Sequence, residues 1–183
     1  MAQPVRYRVA MTHLSRGASL LLCLLQSLLL LSCGAAHSAS MTPEAMATEQ
    51  AAIAAVLDDW HAAAAASDEA RYFGHFAEGG VFMGTDATER WDVGAFRVYA
   101  HRPFSEGRGW VMRSVRRAVR TEGEVAYFDE DLETVNLGPA RGTGVLLLRD
   151  GRWHIAHYSL TITVPNERFD AVRALLALEP PAD

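Results

Sequence analysis

Glu130 is the residue whose setting first points to chemistry. It closes the segment Ala126-Tyr-Phe-Asp-Glu130, where strand alternation places it with Ala126, Phe128 and Leu132 on an apolar face. A carboxylate on such a face has a raised pKa and can act as a general acid or base. The commoner reason for burying a carboxylate is an ion pair, here with Arg113, Arg117 or Arg141, and that lowers the pKa instead. His157 shares its alternation with Trp153 and Ile155, so it is the expected partner of Glu130 in a proton-transfer dyad. A lone strand histidine is more often a satisfied core residue. Asp86 and Glu89 have the spacing of a helix capping box, and the functional alternative sets Asp86 at a pocket mouth. Arg90 and Arg141 are candidates for holding an anionic group, or plain surface residues.

Other chemistry is excluded by composition. The 17 basic residues counted as Lys+Arg are all arginine, so a lysine Schiff base, a P-loop lysine and a lysine base are absent. Both cysteines, Cys23 and Cys33, lie near the N-terminus, leaving the rest without a thiol nucleophile or a cysteine-ligated zinc. His154 and His157 face opposite ways on one strand, and no His/Asp/Glu spacing suggests a metal. No cofactor is expected.

The N-terminus reads as an export signal. Arg6, Arg8 and Arg16 precede an almost wholly leucine run from Leu20 to Leu31, too short to span a bilayer comfortably. Leu30-Leu31-Ser32-Cys33 is similar to a bacterial lipobox, which makes Cys33 the expected lipidation site; ordinary cleavage after Ser38 or Ser40 is the rival. The expected location is therefore the bacterial cell envelope, lipid-anchored through Cys33, or periplasmic or secreted after cleavage. Removing residues 1–32 leaves 14 arginines against 22 acids, a net charge of −8, which argues against nucleic acid as a partner. The chain divides into a leader (1–32), a tether (33–43), one domain (44–178) and a short tail (179–183).

Helical periodicity comes first in the domain. Thr42-Pro43-Glu44 starts a helix with Ile53, Val56, Leu57, Trp60 and Ala64 on one face. Ser67-Asp68 caps a second carrying Tyr72, Phe73 and Phe76, and Glu78-Gly79-Gly80 breaks it. A strand at 81–85 and a third helix at about 91–100 follow. Strands are expected at 110–121, 124–136, 141–149 and 152–164, with hairpin turns at Glu122-Gly123 and Asp150-Gly151. Alternation groups Val111, Val115 and Val119 with the Glu130 face. That face joins the one bearing Leu146, Leu148 and His157 if the Gly138-Pro139 connection has an odd register, or a bulge falls at Gly142 or Gly144. The other face of the last hairpin, with Val145, Leu147, Tyr158 and Leu160, is also apolar and requires a cover. Asn166 caps a final helix with Phe169, Val172 and Leu176 on its inner stripe. The class is α+β.

Five segments carry a family resemblance: Val81-Phe-Met-Gly-Thr-Asp-Ala-Thr-Glu-Arg-Trp91, Ala126-Tyr-Phe-Asp-Glu130, Arg141-Gly-Thr-Gly-Val145, Asp150-Gly-Arg-Trp-His-Ile155 and Thr163-Val-Pro-Asn166. Together they resemble the SnoaL-like branch of the nuclear transport factor 2 superfamily over about residues 50–170. The resemblance implies a cone, in which a strongly bent antiparallel sheet wraps around three N-terminal helices with a pocket at its open end. It also implies a homodimer formed through the outer sheet face. The superfamily includes cofactor-free isomerases, cyclases and dehydratases as well as binding and assembly modules, so fold alone does not decide function. Trp60, Tyr72, Phe76, Phe82, Trp91, Phe96, Tyr99 and Phe128, with Arg117 and Arg141, are the expected pocket lining. The expected function is binding of a small apolar molecule. The alternatives are proton transfer by Glu130 and His157, and assembly alone.

Overall fold

The computed structural model describes residues 42–177. The leader, Cys33, most of the tether and the tail lie outside the described residues. Helix α1 (Pro43–Ala65) starts where the sequence places it: the Thr42 hydroxyl accepts from the Ala45 N–H at 3.2 Å, with proline in the first turn. Its buried stripe is Ile53, Leu57, Trp60, His61 and Ala64. Asp68 caps α2 (Glu69–Gly74) by accepting from the Arg71 N–H at 3.1 Å.

Strand β1 (Phe76–Met83) begins earlier than the glycine pair suggests. Gly79 and Gly80 do not end a helix; they lie in an irregular stretch of the strand, between the pairings of Phe76 with Ile155 and of Val81 with His157. Phe76 is therefore a strand residue. A short β2 (Arg90–Asp92) pairs back onto β1, so Trp91 lies opposite Phe82 on the sheet and not in a helix. Asp92 caps α3 (Val93–Ser105), its carboxylate accepting from the Ala95 N–H at 2.8 Å.

Four long strands follow: β3 (Met112–Glu122), β4 (Val125–Thr134), β5 (Gly138–Arg149) and β6 (Arg152–Ile162). The six-stranded sheet has the order β2-β1-β6-β5-β4-β3 and curls strongly around the helices. Every neighbouring pair is antiparallel except β1 with β6. Residues 135–137 connect β4 to β5, giving the odd register that pairs Leu132 with Ala140 and Ala126 with Leu146. The two apolar faces thus join with no bulge in β5.

The bulges lie elsewhere, at Val115 in β3 and Ala156 in β6. Each inserts one residue and exchanges the faces beyond it. In β3 this turns Val111 and Val115 outward, to 52% and 47% exposed, and brings Met112 inward, against the expected valine face. In β6 it sends His157 to the outer face opposite Val145 and Val81, and turns Tyr158 and Leu160 inward, 0% and 6% exposed. The last hairpin is therefore not apolar on both sides in the way alternation suggests. The C-terminal helix α4 (Phe169–Leu176) follows a 3-10 turn at Asn166–Arg168 with no side-chain cap, and its expected inner stripe is not buried. No helix among the described residues is long and apolar enough to cross a membrane.

Candidate functional site

The concave face of the sheet and the inner stripe of α1 meet at Glu130, which is completely buried. Four hydrogen bonds converge on its carboxylate. Arg117 Nε and Nη2 donate to Oε2 at 2.9 and 2.8 Å. His61 Nε2 lies 2.8 Å from Oε1, and the Tyr158 hydroxyl donates to the same oxygen at 3.1 Å. Burial alone pushes a carboxyl pKa up. The His61 and Arg117 contacts outweigh it and hold Glu130 at about 2. Burial, reinforced by the Glu130 charge, drives the Tyr158 phenol pKa well above its usual value, so that hydroxyl stays a donor. An ionised carboxylate only accepts, so His61 donates through Nε2–H. Nδ1 has no partner among the described residues.

Arg117 links this cluster to α1. Its Nη1 donates to Asp58 Oδ1 at 2.8 Å and to the Ala54 carbonyl at 3.1 Å. The other proposed partners of Glu130 face away: Arg113 pairs with Glu133, and Arg141 approaches Asp131 at 3.7 Å. Arg141 faces out by strand parity in β5, whereas Arg113 faces out because the Val115 bulge exchanges the faces of β3. Gly142, opposite Glu130, and Gly144, opposite Phe128, give these side chains their room. A Cβ on Gly142 would stand 2.1 Å from the Tyr158 oxygen, and one on Gly144 would stand 2.4 Å from the His157 carbonyl oxygen. Close approach is thus the reason for both.

Above the cluster lies a cavity of about 220 Å³, with His61 and Tyr158 in its wall. Of the expected lining residues, Trp60, Tyr72, Phe82, Trp91, Phe96 and Tyr99 line it. Four of these rings are near-parallel: Phe82 on Phe96 at 4.0 Å and 14°, Trp91 on Phe96 at 5.5 Å and 8°, Tyr99 on Trp91 at 4.6 Å and 26°. The others do not reach it. Phe76 lies in the core against Trp60 and Tyr72, Phe128 beside Tyr158 and Gly144, Arg117 on Glu130, and Arg141 on the outer face. Trp60 adds one unusual polar atom, a buried indole N–H with no acceptor among the described residues.

The proposed pairing of Glu130 with His157 does not form, because the Ala156 bulge sets them on opposite faces. Asp86 closes a turn instead of starting a helix. Its carboxylate accepts from the Thr88 N–H at 2.8 Å and hydroxyl at 2.6 Å, which lowers its pKa, while Glu89 reaches back to the Asp86 N–H. The chain then enters β2 directly. Glu89, not Asp86, lines the cavity. His61 and Tyr158 are the residues that strand and helix counting passed over. His61 carried a readable signal: it lies one helical turn after Leu57 and two after Ile53, on the apolar stripe. Tyr158 carried none that alternation reveals, since the bulge inverts its face. Trp110, Met112, Asn136, Leu137 and Leu160 complete much of the lining. Among the described residues there is no group of three or more His, Cys, Asp or Glu side chains placed to hold a metal.

The model of the SnoaL-like domain family matches residues 53–165. A nuclear transport factor 2-like protein from Pseudomonas putida KT2440 superposes with a TM-score of 0.58 at 15% identity, covering 73% of this chain and 98% of that one. A candidate scytalone dehydratase from Novosphingobium aromaticivorans gives 0.54 at 12% identity, covering 64% and 86%. A candidate ketosteroid isomerase from Shewanella frigidimarina gives 0.50 at 17% identity, covering 60% and 94%. A search of curated proteins finds no match.

Proposed function

Because the chain belongs to the SnoaL-like domain family, whose fold does not decide function, we propose from the cavity itself that the protein binds a small, flat, largely apolar molecule. The observation that carries this reading is the stack of near-parallel rings from Phe82 through Phe96 and Trp91 to Tyr99, bordering about 220 Å³ of space. Naphthalene is a direct probe. Saturable quenching of tryptophan emission is expected, because Trp60, Trp91 and Trp110 all border the cavity. Quenching that rises linearly without saturation would remove the binding reading.

A second reading rests on His61. With Nε2–H committed to Glu130, Nδ1 is the ring nitrogen left without a partner among the described residues, and whenever it holds no proton it can act as a base oriented by a buried carboxylate. The same cavity then serves proton transfer without a cofactor, of the isomerase or dehydratase type. A dehydratase and an isomerase are among the names carried by the similar structures, and both reactions move protons. Glu130 is the positioning residue and His61 the base, in place of Glu130 with His157. The bicyclic ketone 2-tetralone tests this through solvent deuterium exchange at its acidic carbon, followed by NMR. His61→Gln should slow the catalysed exchange by about 100-fold or more while leaving naphthalene binding intact. Equal exchange rates in parent and variant exclude the role.

Export and anchoring belong to the same proposal and rest on the leader and Cys33. Expressed in a bacterium, the parent should partition with membranes and carry an acylated N-terminal mass, and Cys33→Ser should lose both. Identical masses and partition would assign the tether to something else. Homodimerisation through the outer sheet face remains part of this proposal, supported by exposed Val115, Val125 and Tyr127 on the outer faces of β3 and β4. A single monomeric species in light scattering would remove it.

A further inference from the structure

The cavity does not end at its ring of aromatics. A wider surface groove of about 650 Å³ adjoins it and shares five lining residues with it, among them Tyr99, Trp110 and Asn136. At about 220 Å³ the cavity alone falls below the roughly 300 Å³ at which ligand pockets usually begin. A molecule of ordinary ligand size must therefore extend into the groove.

The charge of that groove is one-sided. Among the described residues, Arg102 and Arg108 are the only ionisable side chains lining it apart from the Tyr99 phenol. Both arginines are tethered to one carboxylate: Arg102 Nε donates to Glu106 Oε1 at 3.1 Å, and Arg108 Nε donates to Oε2 at 2.9 Å. Glu106 itself does not line the groove. Hydrogen bonds from Arg108 and then Arg102 lower its pKa, so it stays ionised at neutral pH. One carboxylate facing two guanidiniums leaves one positive charge over. It also fixes the two forks, while the Nη atoms of Arg102 have no partner among the described residues. On a chain with 22 acids and 17 arginines, a groove lined by arginine alone runs against the overall charge.

We infer that the ligand is bipartite, with a flat apolar body in the cavity and an anionic group, a carboxylate or its sulfonate or phosphate equivalent, held in the outer groove by Arg102 and Arg108. This rests on the cavity being a binding site and specifies what it selects. Tyr99, half exposed and stacked on Trp91, borders both compartments and carries the apolar body from one to the other.

Paired probes separate the inference from the reading beneath it. Naphthalene-2-carboxylate and naphthalene-2-carboxamide share a body and differ in charge, and calorimetry on the full chain measures both. The carboxylate should bind about fivefold tighter than the amide, the advantage expected of solvent-exposed pairing. About 1 M salt should erase that advantage by shortening the screening length to roughly 3 Å. The double variant Arg102→Gln/Arg108→Gln should bring the carboxylate down to the amide's affinity and leave the amide unchanged. Both side chains are exposed, so the fold should survive, and an unchanged circular dichroism spectrum confirms it. Equal affinities in the parent, or a preference that persists in the double variant, overturns the anionic group alone. Failure of both probes to bind overturns the cavity reading and this inference together.

Discussion

Glu130→Gln is expected to cost about 3 kcal/mol of stability at neutral pH, and the loss should shrink to near zero in acid. The magnitude follows from a carboxyl held at about 2 in the fold against 4.5 as its ordinary value. The depressed folded pKa fixes the sign. The contribution is fully present above about pH 4.5 and declines as pH falls toward 2. The amide keeps the shape of the side chain but puts an N–H₂ where Arg117 or His61 donates, leaving a buried guanidinium without its counter-charge. Urea unfolding of parent and variant at a series of pH values reads this directly. The two stability curves should converge between pH 4.5 and 2. A constant gap down to the acid limit would mean that the carboxylate is not held by charge, and the site as described would fail with it.

Gly142→Ala should cost about 2–3 kcal/mol, although it adds only one methyl group. The new carbon would stand 2.1 Å from the Tyr158 oxygen, 2.7 Å from its ring and 2.9 Å from Glu130 Oε1. None of these can move cheaply, because Tyr158 is packed against Trp60, Phe82 and Phe128 and Glu130 is fully buried. In a Tyr158→Phe background the same substitution should cost measurably less, since the nearest obstruction is gone and the ring remains. A thermal unfolding cycle over the four proteins gives the coupling. Strict additivity would place the strain away from the Tyr158 hydroxyl.

The sheet and its contents were legible in the sequence wherever simple periodicity holds. The α1 start at Thr42-Pro43 and the Glu130 face follow from counting, and the odd connection between β4 and β5 is one of the two ways that counting left for the apolar faces to join. Arg117 was readable as one of three arginines near Glu130; the hairpin turns at residues 123–124, one place beyond the expected Glu122-Gly123, and that register sets Arg117 directly opposite Glu130. What counting cannot see is an inserted residue. Alternation through Ala156 puts His157 inward and Tyr158 outward, and the fold does the reverse. A bulge has no strong sequence signature here, because Ala156 is neither glycine nor unusual for a strand. His61 was missed for another reason: a histidine among Leu57, Trp60 and Ala64 gains meaning only when a carboxylate from the distant β4 lies against it. Tertiary pairing across 69 positions is not written in local pattern. The arginines of the outer groove were invisible for the same reason, since α3 and the β4–β5 connection come together only in the fold.

The inserted residue at Ala156 also has a bearing on how such a site changes over descent. Substitution can alter what stands at positions 157 and 158, yet neither side chain changes face by that route. If the strand ran through Ala156 in regular pairing, His157 would turn inward and Tyr158 outward, trading a phenol for an imidazole beside the same carboxylate and carrying every later position of the strand with it. The chemistry offered to the cavity is thus decided by whether one residue stands out of the ladder. The keeping or losing of this bulge, more than residue identity at 157 and 158, is where divergence of activity among relatives of this architecture should be sought.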